Sequence, residues 1–296
     1  METAIAQILT PHIKDLGGFE ARRSLPHQAR KMVGAFIFFD HLGAAEFPPG
    51  RGVDVRPHPH IHLATVTYLF EGSLMHRDSL GSVQKICPGA INWMNAGTGI
   101  VHSERSPEED RPVANTLHAI QTWVALPKRE EESDPTFDHY PAETIPHWEE
   151  NGVEIGLISG KLGDKASPVQ TKSNIFYLSL KFLPSGGSFT LDAQQPERGI
   201  YSVTEGITIN GEALPQHRLA ILKPGKEVTI SAEKEARAMV IGGEPVGTRY
   251  KWWNFVSSSK ERIQQAKQDW KARKFATVPE ESEFIPLPDD ESEQIM

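Results

Sequence analysis

The chain has a single cysteine, Cys87, among 296 residues, so no intrachain disulfide can form. The expected role of that cysteine is a small buried residue beside a turn, and the expected setting is a reducing compartment, the cytoplasm. The start, Met1-Glu2-Thr3-Ala4-Ile5-Ala6-Gln7-Ile8, lacks the basic stretch and long apolar run of a signal peptide. No apolar run approaches the ~20 residues that a membrane span requires. Positive charge is also in deficit: the formal net charge is -8 with His neutral. Duplex-binding proteins carry the opposite balance, so neither a direct nucleic-acid partner nor a membrane is expected. A role near DNA would have to run through another protein.

What the chain does have is turns. Its 24 Gly and 22 Pro favour many short strands over a helical bundle. The length suits two domains with a core in each. Gly34-Ala35-Phe36-Ile37-Phe38-Phe39 reads as a buried strand ending at Asp40-His41. Leu117 to Leu126 alternates as a further strand, and the charged run Lys128-Arg129-Glu130-Glu131-Glu132 reads as a linker. The second half repeats the first in outline. Tyr68-Leu69-Phe70-Glu71-Gly72 has a counterpart in Tyr201 to Gly206, and Pro88-Gly89 has one in Pro224-Gly225. The expected division is 1–130 for a first domain, 131–256 for a second, and 257–296 for a terminal helix and acidic tail. Ser257-Ser258-Ser259 supplies the helix cap, and Ile263, Ala266 and Trp270 its apolar face. The tail is expected to be extended or mobile.

The chemistry concentrates between residues 58 and 102, which hold five of the 12 histidines: His58, His60, His62, His76 and His102. A lone His is usually a satisfied surface or core residue. Here His58-Pro59-His60 and His102-Ser103-Glu104 bracket a set of strands. Residues i and i+2 of a strand project from one face, so each pair points one way. If the two strands lie close, three imidazoles and a carboxylate converge. Those donors suit Fe(II), Mn, Co, Ni, Cu or Zn, and without a thiolate a closed structural zinc site is disfavoured. The reading is one divalent metal per chain, with Glu104 able to leave it and act as a base. The second half carries only His217 between Ile155 and Met239, so no second centre is expected. Gly97 and Gly99 allow close backbone approach. Phe36, Phe38 and Met94 are candidate apolar walls, and Gln121 and Trp123 sit on a later strand.

Gly52, five further residues and then His58-Pro59-His60 match the opening of the first cupin motif. The glutamate that the motif expects next is absent, since Ala64 and Thr65 stand there, and Glu104 can supply the carboxylate. The sequence resembles the pirins, a bicupin family, through most of its length. The marks are His58-Pro59-His60, Thr65-Val66-Thr67-Tyr68, Glu71-Gly72, Pro88-Gly89, Asn92 to Glu104, Leu117 to Val124, and Gly242-Gly243-Glu244-Pro245. The tail after about Glu281 lies outside the resemblance. By that resemblance the fold is all-β, with two antiparallel cupin (jelly-roll) barrels facing each other and a C-terminal helix. The first barrel would hold iron on His58, His60, His102 and Glu104, and the second would be empty. The pirin pattern often has Gly at the place of His62 and Glu at that of Ala64.

The resemblance implies two functions. One is a quercetin 2,3-dioxygenase, which opens a flavonol heterocycle with dioxygen and releases carbon monoxide, with Glu104 taking the 3-hydroxyl proton. The other is a redox-sensing co-regulator in which Fe(II)/Fe(III) alters a surface seen by a protein partner. The same four residues serve both. An isomerase or hydrolase on the same barrel remains a third reading, because a fold does not fix chemistry.

Overall fold

β-Branched and aromatic residues cut into short runs by Gly and Pro turns give strands along almost the whole chain. The computed structural model describes residues 3–15, 18–289 and 294–296. The chain forms two compact units: residues 1–16, 21–41 and 143–245, and residues 17–20, 42–142 and 246–296. Each is built of antiparallel sheets that close on one core as a β-barrel. The units are therefore interleaved along the chain, where the sequence suggested contiguous stretches ending at 130 and 256. The reason is long-range pairing. Ile5–Leu9 lines up antiparallel with Leu219–Leu222, which carries the N-terminal strand into the unit built from the second half.

That unit has a seven-stranded sheet running, in spatial order, from Ile5–Leu9 to His147–Glu150 and a four-stranded sheet centred on Val228–Ala232. Its interior is filled by aliphatic and aromatic residues such as Ile155, Leu178, Phe182, Ile200, Val240 and Ile230. Burial of each such side chain contributes about 1.5–3 kcal/mol. Packing occupies this barrel where the other holds polar chemistry.

In the other unit, a four-stranded sheet places Asp54–His60, Ile100–Arg105, Leu74–Asp78 and Val83–Ile86 side by side in that order. A second sheet contains Thr136–Tyr140, Ile91–Asn95, Leu63–Gly72 and Asn115–Ala125 as successive neighbours. The helix Lys260–Lys271 belongs to this unit, and the side chain of Ser259 caps it by accepting from Arg262 N. Ile263, Ala266 and Trp270 are its buried residues, as their spacing implies. They pack with Ile61, Val101, Trp252 and Phe255. Among the described residues, no helix is long and apolar enough to cross a membrane.

Three local expectations change. Cys87 is exposed, not buried. The charged run after Pro127 is anchored: Lys128–Glu130 forms a 3-10 turn, and Glu131 is buried against Ser258 and Arg249. The acidic tail is extended but docked, with Val278 buried and Phe284 and Leu287 packed on the helix cluster. Its residues 290–293 lie outside the described residues.

Candidate metal centre

The Asp54–His60 and Ile100–Arg105 strands are antiparallel neighbours, with His58 opposite His102 and His60 opposite Ile100. Period-two projection therefore sends three imidazoles to one place. Ring centroids lie 4.4 Å apart for His58 and His102, 5.0 Å for His58 and His60, and 5.0 Å for His60 and His102. One ring nitrogen from each of His58, His60 and His102 lies within 4.8 Å of the others, and all three residues are buried. The register slips by a bulge between His102 and Glu104, where Arg56 and Pro57 on the His58 strand lie against Ser103 alone. Such irregularities re-aim side chains beside functional sites.

The surroundings keep these rings neutral. Burial pushes the His58 imidazole down to about 4, against the Arg56 carbonyl, which favours the charged form. His60 and His102 fall well below the ordinary value, through burial first and then the mutual charge of the neighbouring histidines. Neutral imidazole is the metal-binding form. His58 Nδ1 lies 2.9 Å from Arg56 O, and His60 Nδ1 lies 3.2 Å from Asn254 O. Those carbonyls fix Nδ1 as the donor and leave each Nε2 with its lone pair free. Among the described residues neither ring nitrogen of His102 has a hydrogen-bond partner, although both are fully buried. A buried polar atom normally has a partner, so this orphaned ring fits a bound cation. The donor set has the make-up to hold a divalent transition metal.

Glu104 sits two residues from His102, opposite His76 on the neighbouring strand. It is outside the group of three close nitrogen donors. Its carboxylate Oε1 lies 3.3 Å from Thr67 Oγ1, whose hydroxyl also lies 2.9 Å from Gln121 Oε1. Burial pushes the Glu104 carboxyl up, opposed by His76 and by hydrogen bonds with Thr67 and Gln121.

Several further residues complete the site. Trp123 and His60 meet edge to face at a centroid distance of 5.0 Å. His76 stacks on Phe137 at 4.1 Å, approaches His102 at 5.3 Å and hydrogen-bonds Asp78 across 2.9 Å. His76-Arg77-Asp78 has the same one-residue spacing as the two His pairs, a signal that alternation alone could have raised. Asn254 and Thr67 carried no such signal, since both act through long-range contact.

Other expectations fall elsewhere. His62 adopts a left-handed backbone, φ 59°, and its Nε2 lies 3.0 Å from Glu132 while Nδ1 lies 3.4 Å from Glu131. It supports that turn instead of joining the three histidines. Phe36 and Phe38, two of the candidate apolar walls, belong to the other unit, where Phe36 packs edge-on against Tyr177. Met94 is buried with Ala96 and Ile100, and Phe137 packs on that cluster. Gly97 is at φ 45°, and a Cβ there would collide with the Ser133 carbonyl, so its close approach is to the Glu131 turn.

Two cupin barrels, one of them carrying a buried three-histidine cluster, define a bicupin. Residues 18–124 match the Pirin family, and residues 179–276 match the Pirin C-terminal cupin domain. A pirin-like protein of Caulobacter vibrioides is 47% identical, over 93% of this chain and 96% of its own. A Pseudomonas aeruginosa protein provisionally named as a quercetin 2,3-dioxygenase is 39% identical, over 86% of this chain and 79% of its own. The crystal structure of quercetin 2,3-dioxygenase from Acinetobacter baumannii matches with a TM-score of 0.87 at 34% identity, covering 97% of each chain. The chain belongs to the pirin family.

Proposed function

We propose that this protein is a metal-dependent dioxygenase that opens the heterocycle of a flavonol such as quercetin and releases carbon monoxide. The observation that carries the reading is the pairing of two chemistries on one strand. His102 belongs to a trio of neutral, buried imidazoles, and two residues on stands a carboxylate whose proton affinity burial raises. A relative of 34% identity over nearly its full length bears the name quercetin 2,3-dioxygenase, which supports the substrate class.

The proposed ligands are His58, His60, His102 and Glu104, with Fe(II) first and Mn, Cu, Ni, Co or Zn fitting the same donors. When bound, such an ion supplies Lewis acidity toward the flavonol 3-hydroxyl and redox capacity toward dioxygen. The remaining work belongs to the chain. Glu104 accepts the 3-hydroxyl proton on a carboxylate oxygen, and its raised proton affinity suits it to that transfer. Thr67 and Gln121 fix the orientation of that carboxylate before substrate arrives. The Arg56 and Asn254 carbonyls hold His58 and His60 in one tautomer and one orientation. Trp123 and Phe137 supply aromatic walls beside the histidines, which favour a planar apolar ring and exclude water. The deprotonated, electron-rich flavonolate then takes up both atoms of dioxygen as its ring opens, and one ring carbon leaves as carbon monoxide.

The test measures metal content and follows the flavonol absorbance band of quercetin in air, for wild type and Glu104→Gln. Wild type should consume flavonol and release carbon monoxide. The variant should keep its metal on three histidines and lose about 100-fold or more in rate. Metal binding by wild type with quercetin left untouched would end the dioxygenase reading. It would favour an iron-dependent redox sensor acting on a protein partner.

A further inference from the structure

The three clustered histidines lie on two strands, and one stretch of chain crosses the outer side of both. Ser103, between His102 and Glu104, points away from the histidines and donates its hydroxyl to Glu281 Oε1 across 2.5 Å. Arg105 donates from Nε to Glu281 Oε1 at 3.2 Å and from Nη2 to Glu281 Oε2 at 2.7 Å. Four residues on, Ile285 N donates 2.8 Å to Pro57 O, in the bulge beside His58. The Ile285 carbonyl in turn accepts from Trp270 Nε1 at 3.0 Å, which ties the stretch to the terminal helix. Val278 on one side and Phe284 and Leu287 on the other pack into the apolar cluster below. Asn254, from the same C-terminal part of the chain, supplies the carbonyl for His60.

Every histidine of the cluster thus has its strand or its ring held by residues beyond 250. The match to the Pirin C-terminal cupin domain ends at residue 276, so the 278–287 stretch lies outside it. Arg105 also contacts Asp54 and Glu283, but those carboxylates are 49% and 55% exposed, whereas Glu281 is 8% exposed. Exposed pairs contribute little, so Glu281 is the contact that orders Arg105.

We propose that residues 278–287 form a strap across the metal-bearing strands and that Glu281 is a positioning residue for the His102–Glu104 segment. The inference rests on the reading of His58, His60 and His102 as metal ligands. Glu281 acts two steps from the metal, through Ser103 and Arg105, and the Ile285–Pro57 bond pins the bulge on the opposite strand. Loss of the strap leaves all donors in place but frees the two strands to shift against each other. Ligand geometry and the rate of metal release then change while the fold persists.

The test loads full-length protein with Co(II) and compares wild type, Glu281→Gln, Glu281→Ala and a chain ending at residue 276. Two quantities are read: the ligand-field absorption spectrum, and the rate of Co(II) release into excess chelator. Unfolding of the metal-free proteins is measured alongside. Supporting contacts around metal ligands typically change affinity by 10- to 100-fold, so Glu281→Ala should release Co(II) about tenfold faster with an altered spectrum. Glu281→Gln, which can still accept from Ser103, should fall between. Glu283→Gln should match wild type. If Glu281→Ala keeps either the wild-type spectrum or the wild-type release rate, the positioning role is overturned, whatever happens to stability. If the truncated chain fails to fold, the two point variants decide alone. His58→Ala separates this inference from the metal reading. A wild-type cobalt spectrum in that variant would show that the metal assignment had failed, and not merely the strap.

Discussion

Arg249 Nε lies 3.1 Å from Glu131 Oε1, and the two side chains are only 2% and 6% exposed. Around them, Arg249 donates to the Leu126, Val246 and Thr248 carbonyls, and Glu131 accepts from Ser258 N and Oγ. The pair ties the end of the Asn115–Ala125 strand to the segment that enters the terminal helix. Removal of one member of a buried pair leaves the other charge uncompensated, at a cost of about 3–5 kcal/mol. Glu131→Ala should therefore lower urea-unfolding stability by that order. Glu132→Ala, at a 57% exposed site in the same turn, should cost under about 1 kcal/mol. Equal effects from the two variants would contradict this account.

The same carboxylate sets a pH dependence. Burial alone would raise the Glu131 pKa, but His62, Ser258 and Arg249 outweigh it and hold the group below its ordinary value. A folded-state pKa below the unfolded one means that the native state binds a proton less readily than the unfolded chain. The stabilisation is then complete above the unfolded value, about 4.3, and is lost as pH falls through the lower folded value. Wild-type stability in urea should drop as pH is lowered from about 5. Glu131→Gln should be less stable at neutral pH and show a shallower acid slope. Parallel slopes in the two proteins would contradict the assignment.

His102 makes a prediction about metal removal. Its two buried nitrogens have no hydrogen-bond partner among the described residues, and a buried unsatisfied polar group costs about 1–3 kcal/mol. The metal-free protein should carry that cost, and an added divalent ion should relieve it. At a free ion concentration of 100 times Kd, binding adds about 2.7 kcal/mol, a thermal shift of several degrees. His102→Ala should abolish the shift while leaving the metal-free melting temperature unchanged or slightly raised. A variant that melts far below metal-free wild type would show that the ring serves packing.

Much of this site was legible because a strand has period two. His58 with His60, and His102 with Glu104, needed only alternation to be placed in pairs, and the helix cap at Ser259 needed only local chemistry. What was not legible depends on partners far along the chain. The N-terminal strand pairs with Leu219–Leu222, so no local boundary marks the interleaved units. Glu131 reads as one charge in a charged run until Arg249, more than a hundred residues later, is seen to lie against it. The tail has the composition of a mobile segment, yet Val278, Phe284 and Leu287 give it an apolar seat. Phe36 lies with residues 21–41 in the unit built from the second half, because an apolar strand does not announce which core its side chains enter.

Thr67 offers the sharpest test of the base role. Its hydroxyl carries one proton and lies between two acceptor oxygens, 2.9 Å from Gln121 and 3.3 Å from Glu104. Among the described residues its hydroxyl hydrogen-bonds to none of the three clustered imidazoles, so its effect is expected to run through the carboxylate. Thr67→Val keeps the shape and the β-branched strand preference but removes that proton. Metal content and the Co(II) spectrum should then stay close to wild type, because His58, His60 and His102 keep their own supports. The Glu104 carboxylate loses a partner that favours its charged form, so its pKa should rise further. In a flavonol assay this predicts a fall in kcat of about tenfold at neutral pH, with the acid limb of the pH profile moved upward and KM little changed. If Thr67→Val loses metal instead, Glu104 acts mainly as a ligand that Thr67 holds in place. If neither rate nor metal changes, Glu104 needs no orientation from Thr67, and Gln121 becomes the residue to replace.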